Sequence, residues 1–353
     1  MGLPEVQISF QSKAAQAVSR SERGIVALIL EEGSPTHTFI EYSGIEEVAE
    51  GDWNEENYDL IKLAFKDAPF KVMIETIDTD AQTPRTISDV LDVLKKKKWN
   101  YLATPYVTTT SDVSTFIKSQ RDNNKKTFKA VLANETADHE GVINVTTDNI
   151  QTKEKTYTTA QYTVRLAGVF ASLPFTRSST YYVLDDVVSV DDTADPDAAI
   201  DNGELILIDD GEKVKIGRGV NSLTSTTPEK NEQFTKITVI DKLDMLRDDI
   251  RNTFNDDYVG KTANTYDDKM LFFGAINAYF SRMIREGVLD PSGENRSDIN
   301  LTKQKSYLQG TGVDVANMTN QEIREYNTGS TVFGKASVRV TDAMEDLEFD
   351  LAI

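Results

Sequence analysis

Cysteine is absent from all 353 residues, and histidine occurs only twice. Without cysteine there are no disulfides, no thiolate nucleophile and no cysteine-bound metal. Such a chain suits synthesis in a reducing cytoplasm. Long apolar runs are also missing: no stretch approaches the ~18–20 residues needed to span a bilayer. The opening MGLPEVQISFQSK has no basic segment followed by an apolar run, so no secretory signal is expected. Positive charge is scarce, with 38 Lys and Arg against 58 Asp and Glu and a net charge of −20. A surface that acidic repels phosphate backbones, so nucleic acid is not expected as a partner. Neither is direct membrane insertion. The one basic run, Lys95 to Lys98, follows Ile87, Val90, Leu91 and Leu94 and reads as the C-terminal turn of an amphipathic helix, where cations complement the helix dipole.

Motifs that carry chemistry are equally scarce. His37 and His139 sit in the separate polar contexts SPTHTF and ADHEGV and read as surface-loop residues. HExxH, GxSxG and zinc-ligand spacings do not occur. Gly260-Lys261-Thr262 resembles the end of a phosphate-binding loop, but the motif needs a glycine where Asn255 stands. GRGVNS, from Gly217, lacks the third glycine of a dinucleotide fingerprint. The aspartates at 185, 186, 191, 192, 195 and 197 miss the EF-hand spacing and read as a solvated loop. The expectation is no catalytic residue, no metal and no cofactor.

What is present is alternation of strands and helices. GIVALILEE (24–32) is a continuous apolar run, as in a strand buried on both faces. ENYDLIKLAFKDAP follows as a helix, FKVMIETI as a strand, TISDVLDVLKKKK as a helix, YLATPY as a strand, SDVSTFIKSQRDN as a helix capped by Ser111 or Asp112, and TFKAVLAN as a strand. That order predicts a layered α/β region. GVINVTT reads as a further strand, TTAQYTVRLAGVFASLP as a helix, and ELILIDDGEKVKI as a hairpin around Asp209-Asp210-Gly211. Then come a strand, FTKITVI, and two helices. The second places Leu271, Phe272, Ala275, Ile276, Tyr279, Met283 and Ile284 on one buried face, with Gly287 as its C-cap. A polar helix, TNQEIREYN, precedes a strand, TVFGKASVRVTDA.

Both ends alternate with period two. Val6, Ile8 and Phe10 form one face of an N-terminal strand, joined to the body by the small, polar connector SKAAQAVSRSERG. Leu347, Phe349, Leu351 and Ile353 form one face of a C-terminal strand, opposite Asp346, Glu348, Asp350 and Ala352. A strand needs partners for its N–H and C=O groups, and neither end has an obvious one.

The C-terminal third resembles contractile tail sheath proteins, which form the outer cylinder of contractile phage tails and of phage-tail-like bacteriocins. The residues that carry the resemblance are Arg251, Tyr258-Val259-Gly260-Lys261 with Asn264, and Asp342-Ala343-Met344-Glu345 leading into the last strand. The alternating region with YLATPY and TFKAVLAN is similar to an earlier part of the same family, and the chain is short enough for a minimal sheath without added outer domains. The resemblance implies a mixed α+β and α/β fold: a layered α/β region plus a C-terminal helix-and-strand sheath domain with extended N- and C-terminal strand arms. Residues 1–22 become an N-terminal linking arm, 23–203 the α/β region facing outward, 204–340 the inner sheath domain and 341–353 the C-terminal linking strand.

It further implies a non-enzymatic subunit, stacked as hexameric rings into a helical homo-oligomer. That oligomer surrounds an inner tail tube protein between baseplate and tail-terminator proteins. It is assembled in the bacterial cytoplasm and released as part of a phage tail or bacteriocin particle. Arms exchanged between subunits keep the lattice connected while it passes from a metastable extended state to a contracted one. Lys303, Lys305 and Arg324 are expected to face the tube. The competing readings are another self-assembling structural protein, from a non-contractile tail or a surface layer, and an α/β enzyme acting on a small molecule.

Overall fold

The computed structural model describes residues 23–106 and 110–351. Val6, Ile8, Phe10 and Ile353 lie outside these residues. The described residues divide into two compact units, one of residues 23–245 with 342–351 and one of residues 246–341.

The first unit is built on the apolar run. β1 (Ile25–Glu32) pairs in parallel with β3 (Lys71–Asp78) on one side and with β4 (Tyr101–Ala103) on the other. β2 (Phe39–Tyr42) adds antiparallel to β3, while β5 (Lys129–Ala133), β6 (Val142–Val145) and later β10 (Glu204–Leu205) extend the far side in parallel. The seven-stranded order is β10-β6-β5-β4-β1-β3-β2. Alternate side chains of β1 feed two cores. Val26, Leu28 and Leu30 pack with α1 (Glu55–Phe65) and α4 (Thr159–Ser172). Ile25, Ala27 and Ile29 pack with α2 (Ile87–Leu94) and α3 (Ser111–Asp122). A strand covered on both faces has no solvent side to mark with polar residues, which is why it is apolar throughout.

The helices start where hydrogen-bonding caps stand. Thr86 and Asp89 form a capping box on α2, and Thr158 and Gln161 do the same on α4. α3 is the exception: its N-cap position is Thr110, one residue before the expected Ser111 or Asp112, and the Thr110 hydroxyl donates to Glu135 instead of capping the helix. α2 ends at Leu94 with Lys95 as its C-cap, so the basic run follows the helix instead of forming its last turn as expected.

Beyond the sheet, β7 (Ile150–Thr152), β8 (Thr156–Tyr157) and β9 (Val187–Ser189) form a small antiparallel sheet, and β11 (Leu207–Asp209) and β12 (Val214–Ile216) form the expected hairpin. The aspartate-rich stretch read as a loop contributes β9 and a short helix, α5 (Pro196–Asp201), capped by Asp195. The expected strand FTKITVI is instead a 3-10 turn, Glu232–Thr235, followed by the first turn of α6 (Ile237–Thr253). Ile237, Val239 and Ile240 are all buried, and burial overrides their β-branched preference for a strand.

The division between the units falls within α6. The second unit continues through a π-helical turn (Phe254–Tyr258), α7 (Tyr266–Arg285), β13 (Arg296–Ile299), α8 (Leu301–Gly310), α9 (Asn320–Glu325) and β14 (Gly334–Ser337). The predicted stripe of α7 holds at Phe272, Ala275, Ile276, Tyr279 and Met283, whereas Leu271 is exposed. Gly287 ends α7 with φ +74°, the left-handed conformation of a helix C-cap. β13 and β14 form an isolated antiparallel pair. Among the described residues no helix is long and apolar enough to cross a membrane.

Candidate functional site

The C-terminal segment is fixed at its root and uncovered beyond it. Lys236 Nζ donates to Asp342 Oδ2 at 2.6 Å. Glu345, with 5% of its side chain exposed, accepts from Ser178 Oγ at 2.9 Å and from Thr180 Oγ1 at 2.7 Å. Its other oxygen lies 3.4 Å from Lys236 Nζ and 3.6 Å from Arg218 Nε, and Arg218 also holds Asp346. Burial pulls the Lys236 ammonium down, but Asp342 and Glu345 outweigh it and hold the group above its ordinary value. Asp346 likewise raises Arg218. The socket depends on a close approach at Gly219, where a Cβ would sit 2.4 Å from Ser179 Oγ, and whose N–H donates to Thr180 Oγ1 at 3.0 Å.

Past this clamp the expected alternation meets no partner. Leu347, Phe349 and Leu351 are 88%, 75% and 77% exposed, and Met344 is exposed as well. Residues 342–351 pair with no strand among the described residues. Side chains of this size left in water forfeit about 1.5–3 kcal/mol each relative to burial.

The second unit presents a complementary feature. β13 and β14 stand alone as a two-stranded sheet, an arrangement marginal in water without further strands or packing. Asn277 of α7 already engages the backbone of β13: its Oδ1 accepts from Ser297 N at 2.7 Å and its Nδ2 donates to Ser297 O at 3.1 Å. β14 is exposed along its whole length, and its far edge carries no strand among the described residues.

Of the residues expected to face a tube, Lys303 and Lys305 are exposed on α8, whose buried side holds Gln304 and Leu308. Arg324 is already committed within the fold. Its guanidinium grips both oxygens of Asp298 at 2.7 Å, tying α9 to β13 and lowering the Asp298 carboxyl.

The groups weighed for chemistry are used otherwise. His139 is buried, contrary to the surface-loop expectation, and comes near Asp122 and Glu140 in an arrangement of metal-ligand type. Its Nδ1, however, accepts the Gly141 N–H at 3.0 Å, so in the neutral ring Nε2 carries the proton toward the two carboxylates. That tautomer offers no lone pair to a cation. The aspartates of the acidic stretch also separate into distinct tasks: Asp186 meets Lys66, Arg165 and Tyr162, Asp191 accepts from Asn149, and Asp195 caps α5. At the C-terminal ends of the parallel strands, Asn57 bonds Glu31 O, Glu32 and Tyr106, so these polar groups satisfy one another. The clamp is not among the features expected from the sequence. Its signal was the acidic Asp342, Glu345 and Asp346, placed where the alternating pattern begins.

The family descriptions "Phage tail sheath protein central domain" and "Phage tail sheath C-terminal domain" match residues 80–222 and 229–353. A tail sheath protein of Clostridium phage phiCD119 is 36% identical over 358 residues, covering 98% of each chain. The fold is shared with the sheath tail protein of Desulfitobacterium hafniense, at a TM-score of 0.68, 21% identity and coverage of 81% of this chain and 91% of that one. It is shared too with the helical sheath of the anti-feeding prophage in its contracted state, at a TM-score of 0.69, 14% identity and coverage of 100% and 99%. The chain belongs to the phage tail sheath family.

Proposed function

We propose that this structural subunit of a contractile sheath joins its neighbours by donating the strand beginning at Leu347 to the open edge of β14 in another copy. The observation that carries the reading is a segment clamped at Glu345 whose next three large apolar side chains are exposed. Added to β14, the segment's backbone groups gain partners and its apolar face gains cover, while the receiving sheet grows past its marginal size. The N-terminal strand at Val6, Ile8 and Phe10 links a further neighbour in the same manner. Donation from each copy to the next gives an open, head-to-tail lattice.

Fixed linkers let subunits move as rigid bodies, so contraction conserves connectivity while the contacts between bodies are remade. The work is mechanical: free energy stored at assembly drives the tube outward, with no cofactor and no turnover. In this arrangement residues 23–203 face outward, residues 204–340 lie inside, and 1–22 and 341–353 are the arms. The partners are the inner tube protein, the baseplate and the tail terminator, in a helical stack of hexameric rings assembled in the bacterial cytoplasm. Lys303 and Lys305 are the cations offered to an acidic tube surface. Arg324 serves first to hold Asp298.

Electron microscopy of the full chain beside a chain truncated after Asp346 tests the reading. The truncated chain keeps the clamp and is expected to stay folded and monomeric, while the full chain forms tubular polymers. Equal assembly by both chains would remove the donated strand from the mechanism.

A further inference from the structure

The family-like residues Tyr258, Val259, Gly260 and Asn264 have no place in strand donation, yet they line one open cavity of about 460 Å³ in the second unit. Its wall is aromatic. Tyr258 stacks on Phe254 at 6.3 Å and meets the edge of Phe272 at 4.8 Å, with Phe254 and Phe272 5.2 Å apart. A π-helical turn presents the first two rings, an irregularity often found at functional positions. Opposite, Asn264 Nδ2 donates to Gly329 O at 2.7 Å and Thr331 O at 3.1 Å, holding in place the strap that leads into β14. Asn264 Oδ1 is buried without a hydrogen-bond partner among the described atoms. Lys269 is 3% exposed, and among the described residues its Nζ meets only the neutral Thr328 hydroxyl, at 3.1 Å. Burial, with no opposing carboxylate, draws its ammonium below the ordinary lysine range. An aromatic wall and a buried cation without a carboxylate partner among the described residues together describe a site for an apolar side chain with a carboxylate beside it. Its volume falls within the ~300–1,000 Å³ typical of ligand clefts.

We infer that this cavity is the anchor pocket for the C-terminal segment of a second copy, taking the Phe349 ring against Tyr258 and Phe272 with the Asp350 carboxylate toward Lys269. The inference rests on the donated-strand reading and gives that strand its end point. Ser330 and Val332 line the cavity just before β14 begins, so a strand on the β14 edge runs onto it. Phe349 and Asp350 supply ring and carboxylate on adjacent residues, and the ring is exposed in the free subunit. A buried cation is costly unless it is paired, and pairing it only in the assembly turns that cost into specificity for the segment that brings the carboxylate.

Because the chain has no cysteine, introduced ones report unambiguously. In mixed assemblies, one copy carries Leu351→Cys and the other carries Thr262→Cys in the cavity or Lys335→Cys on β14, joined by a short bismaleimide. Separately, Lys269→Met, Asp350→Asn and the double variant are compared by the subunit concentration at which polymer forms. Asp350 stands on the exposed segment, so its variant leaves the folded body intact. The expected result is cross-linking at Thr262→Cys, a rise of roughly tenfold in that concentration for each single variant, and no further rise for the double. Cross-linking at Lys335→Cys alone, or wild-type assembly by Lys269→Met, overturns the pocket while leaving strand donation standing. Cross-linking at neither position overturns both.

Discussion

Asp244 is the residue on which most buried charge converges. It accepts from Arg121 at 2.8 and 3.0 Å and from Lys129 at 3.1 Å, with all three side chains almost fully buried. Lys129 also reaches Asp241 at 3.0 Å, which takes the hydroxyl of Tyr101 at 2.7 Å. Removing one member of such a group strands the others in low dielectric, so Asp244→Ala is expected to cost about 3 kcal/mol, the lower end for a broken buried pair because Asp241 still serves Lys129. The double variant Arg121→Met with Asp244→Leu should cost less than that single change, since no charge is left unmatched. Urea unfolding followed by tryptophan fluorescence decides it. The chain's two tryptophans, Trp53 and Trp99, both sit in cores of the first unit. A second residue sets a pH dependence. Burial lowers the His139 imidazole against the raising pull of Glu140 and Asp122. The unfolded chain therefore takes up a proton near pH 6.5 while the folded one does not, and stability falls as pH drops from there toward the folded value. His139→Asn keeps an acceptor for the Gly141 N–H and removes the titration. Its unfolding midpoint should fall less than that of the wild type between pH 7 and pH 5.5, by up to about 1.4 kcal/mol per pH unit. Parallel slopes for the two proteins would show that His139 does not govern this window.

At the scale of elements, the crossing of α1 and α4 turns on one glycine. A Cβ at Gly168 would lie 2.4 Å from Ala64 O, which is backbone and cannot swing aside. Gly168→Ala should therefore force the helices apart and cost about 1–3 kcal/mol despite the better helix propensity of alanine. A thermal midpoint equal to that of the wild type would show that the crossing relaxes freely. Such close approaches are invisible in a sequence, where Gly168 stands inside an ordinary helical pattern. Elements governed by their own chain were legible. β1 announces itself by an unbroken apolar run, α2 by the spacing of Val90, Leu91 and Leu94, and the end of α7 by Gly287. Elements governed by distant packing were not. Ile237 and Val239 alternate as in a strand, yet with Ile240 they satisfy a helical period equally well, and only burial selects between the two. His139 stands in the polar context ADHEGV, which marks a surface loop, while its burial comes from the chain folding over it. At the candidate site, the alternation of Leu347, Phe349 and Leu351 could be read, because it is a local pattern. The clamp could not, since Arg218 and Lys236 are brought to Glu345 from more than a hundred residues away.

For the whole molecule, the net charge of −20 sets long-range repulsion between copies against short-range attraction at their contacts. The donated segment adds to the conflict, carrying Asp346, Glu348 and Asp350 toward another acidic subunit. Magnitudes decide which wins. Each apolar side chain of the segment gains about 1.5–3 kcal/mol on burial, independent of charge. An exposed ion pair contributes about 0–1 kcal/mol and is itself weakened by salt. Repulsion between like-charged bodies reaches about 30 Å at 0.01 M salt and about 8 Å at 0.15 M. Salt in this range thus removes the opposing term and leaves the apolar attraction in place. The subunit concentration needed for polymer should fall several-fold between about 10 and 150 mM sodium chloride, then level off once the screening length is shorter than the spacing between bodies. Sedimentation of polymer across a salt series measures it. A concentration that rises from the lowest salt upward would mean that ion pairs between subunits hold the lattice together, and that burial of Leu347, Phe349 and Leu351 contributes less than their exposure in the free chain implies.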